Sequence, residues 1–398
     1  MSRIVVIGAG MVGAAVAHAL TTRGAEVIVL DRGEPGHGTS RTTFAMDITA
    51  RKTPRAYFDL SLQAAHRHTE LSEQLTGPER PSWLHHAPSI EIGVNEHDRT
   101  VMTERRDRLA AWGYPGEFME TSDLGELATG LDLSRAAGTT AVVYPNAAWY
   151  DPATFITRVF ESIRAELHPR TEVTALHQRG EHGWTVHTRT HTWEADTIVN
   201  CAGPDAARIA ALAGTDLALQ QVPGIIGYTG PLPQPHSHAV LTLWDINLRP
   251  TPDHGLCLHS YPVDATLQGP ATNGNTPPET LKTDLAKRAA EIVPALRHKA
   301  TTELDMRIGV RPVPADGLPL AGEHHDSPGI YTLATHSAIH LAPILAEHAA
   351  DEILSQTPVP ALEPYRPGRP TAPAMDESLN EMTRTYQTTN TTPTETPA

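Results

Sequence analysis

Short apolar runs alternate with longer amphipathic stretches along this chain. Residues 4–7 read Ile-Val-Val-Ile, a strand-length run with no polar face, the kind buried on both sides in a parallel sheet. The turn Gly8-Ala9-Gly10-Met11-Val12-Gly13 follows, and residues 14–22 are strong helix formers. Gly24 stands where the residue after a helix belongs, and residues 25–30 form a second apolar strand that ends on Asp31. The pattern predicts a strand–helix–strand unit with parallel pairing.

Residues 51–110 read as largely helical, polar on one side and rich in alanine and leucine on the other. Residues 139–150 read as a strand and turn, and Asp151-Pro152 predicts a capped helix running to about Leu167. Strands are expected near 171–176, 184–190 and 197–200, a β-rich, proline-punctuated stretch over 216–270, and a helix over 278–300. A strand leads into Arg311-Pro312, another covers 330–334, and the last helix covers 341–354. No internal repeat is present. From Glu363 onward the chain is rich in proline and threonine and ends TTNTTPTETPA, which predicts a disordered tail over 363–398.

Composition narrows the function classes. The chain has 398 residues, 39% hydrophobic and 19% charged, enough to bury a core in two or three structural units. Acidic residues outnumber basic ones 46 to 31, a formal charge of −15, which argues against a nucleic-acid partner. Two cysteines, Cys201 and Cys257, make neither a disulfide framework nor a CxxC motif. The 22 histidines include the pairs His85-His86 and His324-His325, but none stands in a metal-binding pattern such as HExxH, so no metal is expected. No apolar run reaches the length of a membrane span or a signal segment, and a cytoplasmic location is the expectation. Oligomeric state is not legible.

The turn at residues 8–13 carries the first chemistry. Gly8 allows the tight turn, Gly10 lets backbone approach a pyrophosphate, and Gly13 lets helix and strand pack closely. The helix that follows offers unsatisfied N–H groups and a positive dipole end to phosphate. Asp31, 18 residues after Gly13, is placed to accept from a ribose 2′-hydroxyl and would repel a 2′-phosphate. The motif alone leaves NAD and FAD open.

Three later stretches, with one early loop, bear a family resemblance. Val199-Asn200-Cys201-Ala202-Gly203-Pro204 resembles the strand-then-A-A-G element of FAD enzymes in the D-amino-acid oxidase superfamily, which includes glycine oxidase, sarcosine oxidase and D-amino acid dehydrogenases. Gly309-Val310-Arg311-Pro312 and Asp316-Gly317-Leu318-Pro319-Leu320-Ala321-Gly322 resemble its G-x-R-P…D-G-x-P-x-x-G signature. Ala334-Thr335-His336-Ser337 with Leu341-Ala342-Pro343 resembles the terminal T-H-S-G…L-A-P motif, and Gly38-Thr39-Ser40 the loop past the flavin phosphates. The resemblance spans residues 3 to about 356, in order.

The resemblance implies an α/β fold: a discontinuous Rossmann-type FAD-binding domain (1–50, 140–215 and 305–360) with an interleaved mixed-sheet α+β substrate domain (51–139 and 216–304). It implies cofactor contacts from Gly8, Gly10, Met11, Val12, Gly13, Asp31, Arg32, Thr39, Ser40, Thr42, Thr43, Val173, Ala202, Gly203, Gly309 and Arg311. His336, Ser337, Ala338, Ile339 and His340 complete that set, the last helix facing the flavin pyrimidine with its positive end. Two departures imply that FAD is held non-covalently. Arg41-Thr42 stand where histidyl-flavin relatives carry Trp-His, and Arg307-Ile308-Gly309 where sarcosine oxidases carry the flavin-linked cysteine. A third is Ala338, in place of the family glycine after the serine.

Aromatic hydroxylases of related fold need a late G-D segment, and disulfide reductases a second GxGxxG with CxxxxC; the chain has neither. The implied chemistry is two-electron oxidation of a C–N bond in a small carboxylated amine, to an imine, with O2 as acceptor. Arg311 would grip the carboxylate, and Arg51, His259, His336 and Tyr228 are further catalytic candidates. Lys52, Arg55, Trp244 and Tyr261 lie in the same basic or pocket-forming segments. No lysine lies between Lys52 and Lys282, where sarcosine oxidases carry an oxygen-activating one. A D-amino acid dehydrogenase using another acceptor, and a non-catalytic FAD-binding partner in a larger assembly, are the alternatives.

Overall fold

The computed structural model describes residues 3–114, 116–180, 183–233, 236–267, 273–299 and 303–370. Its contacts separate two units. Of the described residues, those up to His85, Tyr150–Val222 and those from Gly309 onward form unit 1, and His86–Trp149 with Pro223–Ile308 form unit 2.

Unit 1 is built on a six-stranded sheet in the order Leu320–His324, Ser327–Ala334, Thr197–Asn200, Arg3–Ile7, Glu26–Leu30, Glu166–His168. All pairs are parallel except the first. The apolar runs are central for a physical reason: a parallel strand is covered on both faces, so Ile4, Val5, Val6 and Ile7 are all buried. Val5, Ile7, Ile28 and Leu30 share a core with Val173, Trp184 and Val186 of a three-stranded antiparallel sheet. The helices Met11–Thr22, Arg55–Leu75, Pro152–Ser162 and Ala338–Ser355 pack on one another.

Unit 2 contains a mixed sheet in the order Asp305–Pro314, Leu219–Tyr228, Leu256–His259, Asn247–Pro250, Val240–Thr242, Ser89–Ile92, Thr140–Tyr144, Glu117–Glu120. Residues 219–222 and 309–314 of its strands are grouped with unit 1. From Leu219–Tyr228 onward, pairing is antiparallel apart from Val240–Thr242 against Ser89–Ile92. Ile90, Val143, Leu248, Leu258 and Met306 meet Leu285 and Ile292 of the helix Glu279–Ile292 in its core. Glu91 and Arg105, both buried, form an ion pair there.

Several expectations shift. The helical reading of 51–110 divides into Arg55–Leu75 and Glu96–Ala111, with the strands Leu84–His86 and Ser89–Ile92 between them, because Pro81 and Pro88 interrupt the helical period. Residues 51–85, expected in the substrate domain, belong to unit 1, where the Arg55–Leu75 helix packs on Ala338–Ser355. Asp151 does cap its helix, accepting from the N–H groups of Ala153 and Thr154, but that helix ends at Ser162 and Glu166–His168 becomes an edge strand. The last helix begins at Ala338 and runs through Pro343.

The tail reading also begins too early. Pro360–Tyr365 is a 3₁₀ turn with Leu362 and Tyr365 buried. Arg366 pairs with Glu352 at 2.6 Å, and Arg369 grips Asp316 through two bonds of 2.8 and 2.7 Å. Two bidentate-capable arginines offset the low apolar content that suggested disorder. Residues 371–398 lie outside the described residues. Among the described residues no helix is long and apolar enough to cross a membrane.

Candidate functional site

The turn at residues 8–13 closes on itself. Gly8 has φ +109° and a Cβ there would lie 2.4 Å from the Cys201 carbonyl oxygen. A Cβ on Gly13 would lie 1.8 Å from the oxygen of Gly8, so no side chain fits either position. The Met11–Thr22 helix therefore starts flush against the sheet, and its N-cap, Gly10, gives no side-chain cap. Ser40 Oγ takes one of the orphan donors, the N–H of Met11, at 3.0 Å. Val12 and Gly13 are buried in the same first turn.

Asp31, at the end of Glu26–Leu30, is only partly exposed. Its carboxylate accepts from the N–H of Ala9 at 2.6 Å and of Gly33 at 2.7 Å. These bonds fix the carboxylate beside the glycine turn, with the remaining lone pairs available to a hydroxyl. Arg32, exposed, pairs with Asp205 at 2.7 Å, tying this corner to the loop that holds Ala202 and Gly203. Val173 is buried in the core beneath.

A second set of contacts joins two motifs more than 260 residues apart. Thr39 Oγ1 donates to the Val310 carbonyl at 2.6 Å. A Cβ on Gly309 would lie 2.2 Å from the Thr42 carbonyl, so this strand presses directly on the loop of residues 38–43. Thr42 is buried and Thr43 half-buried. Arg311 follows on the same strand, half-buried, its Nε 3.5 Å from the Val222 carbonyl.

The third element is the start of the Ala338–Ser355 helix. Ser337 is its N-cap and makes no side-chain cap bond, which leaves the first-turn N–H groups of Ala338, Ile339 and His340 as a donor set. Ser337 N–H donates to Thr335 Oγ1 at 3.1 Å, and Ser337 Oγ accepts from the Tyr57 hydroxyl at 3.3 Å. His336 is half-buried at the junction. His340, whose backbone N–H belongs to this donor set, sends its side chain inward. Nε2 donates to the Ser61 carbonyl at 2.9 Å and Nδ1 meets the Tyr150 hydroxyl at 2.9 Å. Burial lowers its pKa, opposed by Asp47 3.8 Å away and reinforced by Lys52.

This polar cluster is what sequence reading missed. Asp47, Thr49, Ser61, His68, Trp83 and Tyr150 are all inside unit 1, most of them fully enclosed. One signal was present: Tyr57, Ser61 and His68 recur at helical spacing, which places them on one face of Arg55–Leu75. Arg51, a catalytic candidate, and Lys52 of the same basic segment are 5% and 0% exposed, and Lys52 Nζ lies over the Tyr57 ring. Arg55 is exposed and pairs with Asp59.

Tyr228 and His259 belong to unit 2. His259 is 4% exposed and both ring nitrogens are engaged. The Asn247 amide nitrogen, which can only donate, stands 3.0 Å from Nδ1, and Nε2 meets Asp264 Oδ2 at 3.0 Å. Asp264 in turn accepts from the Ile225 N–H at 2.6 Å, so His259 links two strands to a short helix. Tyr261 packs edge-on against it. Tyr228 is paired across the sheet with Cys257, whose thiol is pushed up by burial. Trp244 is half-buried beneath the Arg135 guanidinium.

The family profile described as FAD dependent oxidoreductase (DAO) matches residues 3–352, and the chain belongs to that family. Glycine oxidase of Geobacillus kaustophilus is 24% identical over 360 residues, covering 87% of this chain and 92% of the relative. Its crystal structure superposes with a TM-score of 0.81 at 21% identity, over 94% of this chain and all of that one. The tRNA 5-methylaminomethyl-2-thiouridine biosynthesis bifunctional protein of Thiobacillus denitrificans is 28% identical over 380 residues, 90% of this chain and 57% of that protein. The crystal structure of L-proline dehydrogenase from P. horikoshii has a TM-score of 0.76 at 21% identity, covering 91% of this chain and 96% of that one.

The protein is an FAD-dependent oxidoreductase with a Rossmann-type FAD-binding fold, and FAD is its cofactor. The residues present fit that group. A cradle too tight for any Cβ at Gly8 and Gly13, an uncapped helix start and a carboxylate fixed beside it are what a dinucleotide requires.

Proposed function

We propose that this enzyme oxidises a C–N bond in a small carboxylated amine, an amino acid or an N-substituted glycine, with FAD held non-covalently. The observation that carries the reading is the placement of Arg311. Its strand is pressed onto the Thr39–Thr42 loop by the Gly309 contact and the Thr39–Val310 bond, so an arginine fork sits one position beyond a fixed loop. A similarity to glycine oxidase over nearly its whole length supports the same substrate class.

FAD, when bound, supplies the two-electron acceptor, so that a C–H beside nitrogen is lost as hydride and the amine becomes an imine that water hydrolyses. The chain's part is binding and orientation. Gly10, Met11, Val12 and Gly13 would hold the pyrophosphate, with Ser40 at the helix start and Asp31 on the ribose. Arg32, Thr42, Thr43, Val173, Ala202, Gly203 and Gly309 would line the dinucleotide. The first turn at Ala338, Ile339 and His340, with His336 and Ser337, would present N–H groups to the pyrimidine edge of the ring. Arg311 would take the substrate carboxylate bidentately, each charge-assisted bond contributing about 1.5–3 kcal/mol. Arg51 and Tyr228 complete the candidate catalytic set; His259, engaged at both nitrogens, is a packing residue in this reading.

O2 is the proposed acceptor. A second reading, a dehydrogenase with another acceptor, is favoured by one observation: the strand Leu256–His259 carries no lysine, and its histidine is tied to Asn247 and Asp264. Aerobic assays with glycine, sarcosine and D-amino acids test both. One peroxide formed per amine consumed supports the oxidase. Turnover only with an added quinone or dye supports the dehydrogenase, and no turnover in either assay contradicts the amine reading.

A further inference from the structure

The helix Ala338–Ser355 contains Pro343, which has no N–H to give the carbonyl four residues earlier. That carbonyl belongs to Ile339, in the first turn. In the structure His68 Nε2 stands 3.0 Å from the Ile339 oxygen and 3.1 Å from the His340 oxygen. Its other nitrogen, Nδ1, lies 3.2 Å from the Trp83 indole N–H. An indole nitrogen only donates, so Nδ1 accepts and the hydrogen resides on Nε2. This is the tautomer the Ile339 carbonyl needs. His68 is fully buried, and burial, with His340 nearby, pushes its pKa down to about 3. It is therefore neutral, as the Trp83 bond requires.

The same helix face delivers two further contacts to the same turn. Tyr57 donates to Ser337 Oγ and the Ser61 carbonyl receives His340 Nε2–H. Tyr150 lies between the two histidines, its ring 4.2 Å from that of His68 and its hydroxyl on His340 Nδ1. The proline thus removes one bond from inside the helix, and a side chain from a helix about 270 residues earlier supplies the donor.

We infer that His68 is a positioning residue for the flavin site: it supplies the hydrogen bond that Pro343 withholds and so fixes the first turn of Ala338–Ser355, keeping the N–H groups of residues 338–340 directed at bound FAD. The inference rests on the flavin-facing reading of this turn given under the proposed function. A first turn with an open carbonyl at Ile339 would recruit water or reorient, and the donor set would lose its aim.

The test is a cycle on the FAD-loaded protein with His68→Leu, His68→Gln, Pro343→Ala and the His68→Leu/Pro343→Ala double variant. Two quantities are read without any amine: FAD affinity after reconstitution of apoprotein, and the two-electron midpoint potential by reductive titration against a reference dye. His68→Leu is expected to weaken FAD binding about tenfold. It should also cut the preference for reduced flavin about tenfold, which for a two-electron couple is about 30 mV more negative. His68→Gln, whose amide can reach the same oxygen, should recover at least half of both losses. Pro343→Ala restores a backbone N–H to Ile339, so in that background His68→Leu should change either quantity less than twofold.

A His68 that merely fills space predicts otherwise: Gln no better than Leu, and a double variant as impaired as His68→Leu. That result overturns the inference. If His68→Leu does not fold, a folded, flavin-loaded double variant supports it, and a double variant that also fails to fold overturns it. Failure of every amine to reduce the flavin would contradict the proposed substrate class but leave both readouts intact, so the two ideas fail separately.

Discussion

Two helix starts in unit 1 offer N–H groups in the same way and are built by opposite means. The start at Met11 is made of backbone: Gly8 and Gly13 touch main-chain oxygens where no Cβ fits, and one serine and one aspartate finish it. The start at Ala338 is held by side chains: those of Tyr57 and His68 reach it from one helix, and its own His340 side chain reaches back to the Ser61 carbonyl and to Tyr150, with Trp83 behind His68. A backbone-built turn tolerates almost no substitution, because nothing can move aside. A turn held by side chains can be loosened by degrees, and it brings titratable groups with it.

The sharpest way to break the first construction is Gly13→Val. Its Cβ would enter the Gly8 carbonyl, so the expected result is loss of bound flavin and a stability cost of about 3 kcal/mol or more, read by absorbance of the purified protein and by chemical denaturation. No single substitution in the Ala338 cluster should match it. Equal loss from Tyr57→Phe, which removes the donor to Ser337 Oγ, would erase the distinction.

Arg311 lies outside both turns and should separate flavin retention from substrate binding. Arg311→Lys keeps the charge but loses the fork, and KM for the amine should rise about 10- to 100-fold with flavin content unchanged. Flavin loss would instead make Arg311 part of the cofactor scaffold.

Asp31→Asn probes the backbone-built side more gently. An amide cannot accept from both Ala9 and Gly33 and still serve a ribose, so FAD affinity should fall about tenfold, measured by fluorescence on reconstitution. An unchanged affinity would remove Asp31 from the site.

Acid should distinguish the two constructions, since only the Ala338 cluster contains buried histidines. His68 and His340 both have folded pKa values below the ordinary 6.5, His68 at about 3, chiefly because burial disfavours the charged form. The unfolded chain then binds more protons, so stability is complete above pH 6.5 and is lost as pH falls toward 3. His68 contributes a slope of about 1.4 kcal/mol per pH unit in that window, and His340 adds to it in the same direction. Thermal unfolding from pH 7 to 4.5 should show His68→Gln flattening the profile by about one proton. A parallel profile would mean His68 is not titrating with unfolding.

The same contrast explains what was legible in the sequence. Gly13 and Asp31 make their contacts with Gly8, Ala9 and Gly33, in or beside one strand–helix–strand unit, so their spacing is legible, whereas the approach of Cys201 to Gly8 is not. The family motifs at Gly309 and Ser337 were visible as text, yet their supports were not. That Gly309 presses on Thr42, or that His68 answers Pro343, depends on tertiary contacts between distant stretches with no local pattern. The pattern starts the last helix at Leu341, which puts Pro343 in the first turn where proline is at home; the observed start at Ala338 puts it further inside, where His68 serves the carbonyl it orphans. The segment around Arg366 and Arg369 was read as tail because its composition is poor in apolar residues, and its order comes from ion pairs with Glu352 and Asp316 instead.

In the proposed reaction the flavin of this protein takes electrons from a carboxylated amine. Mixing the FAD-loaded protein with glycine, sarcosine and a panel of D-amino acids in the absence of oxygen, while following the flavin absorbance band, tests it most directly. Bleaching by at least one of them is expected, and far slower bleaching in Arg311→Lys at the same concentration. A flavin that dithionite bleaches fully but no carboxylated amine reduces would contradict it.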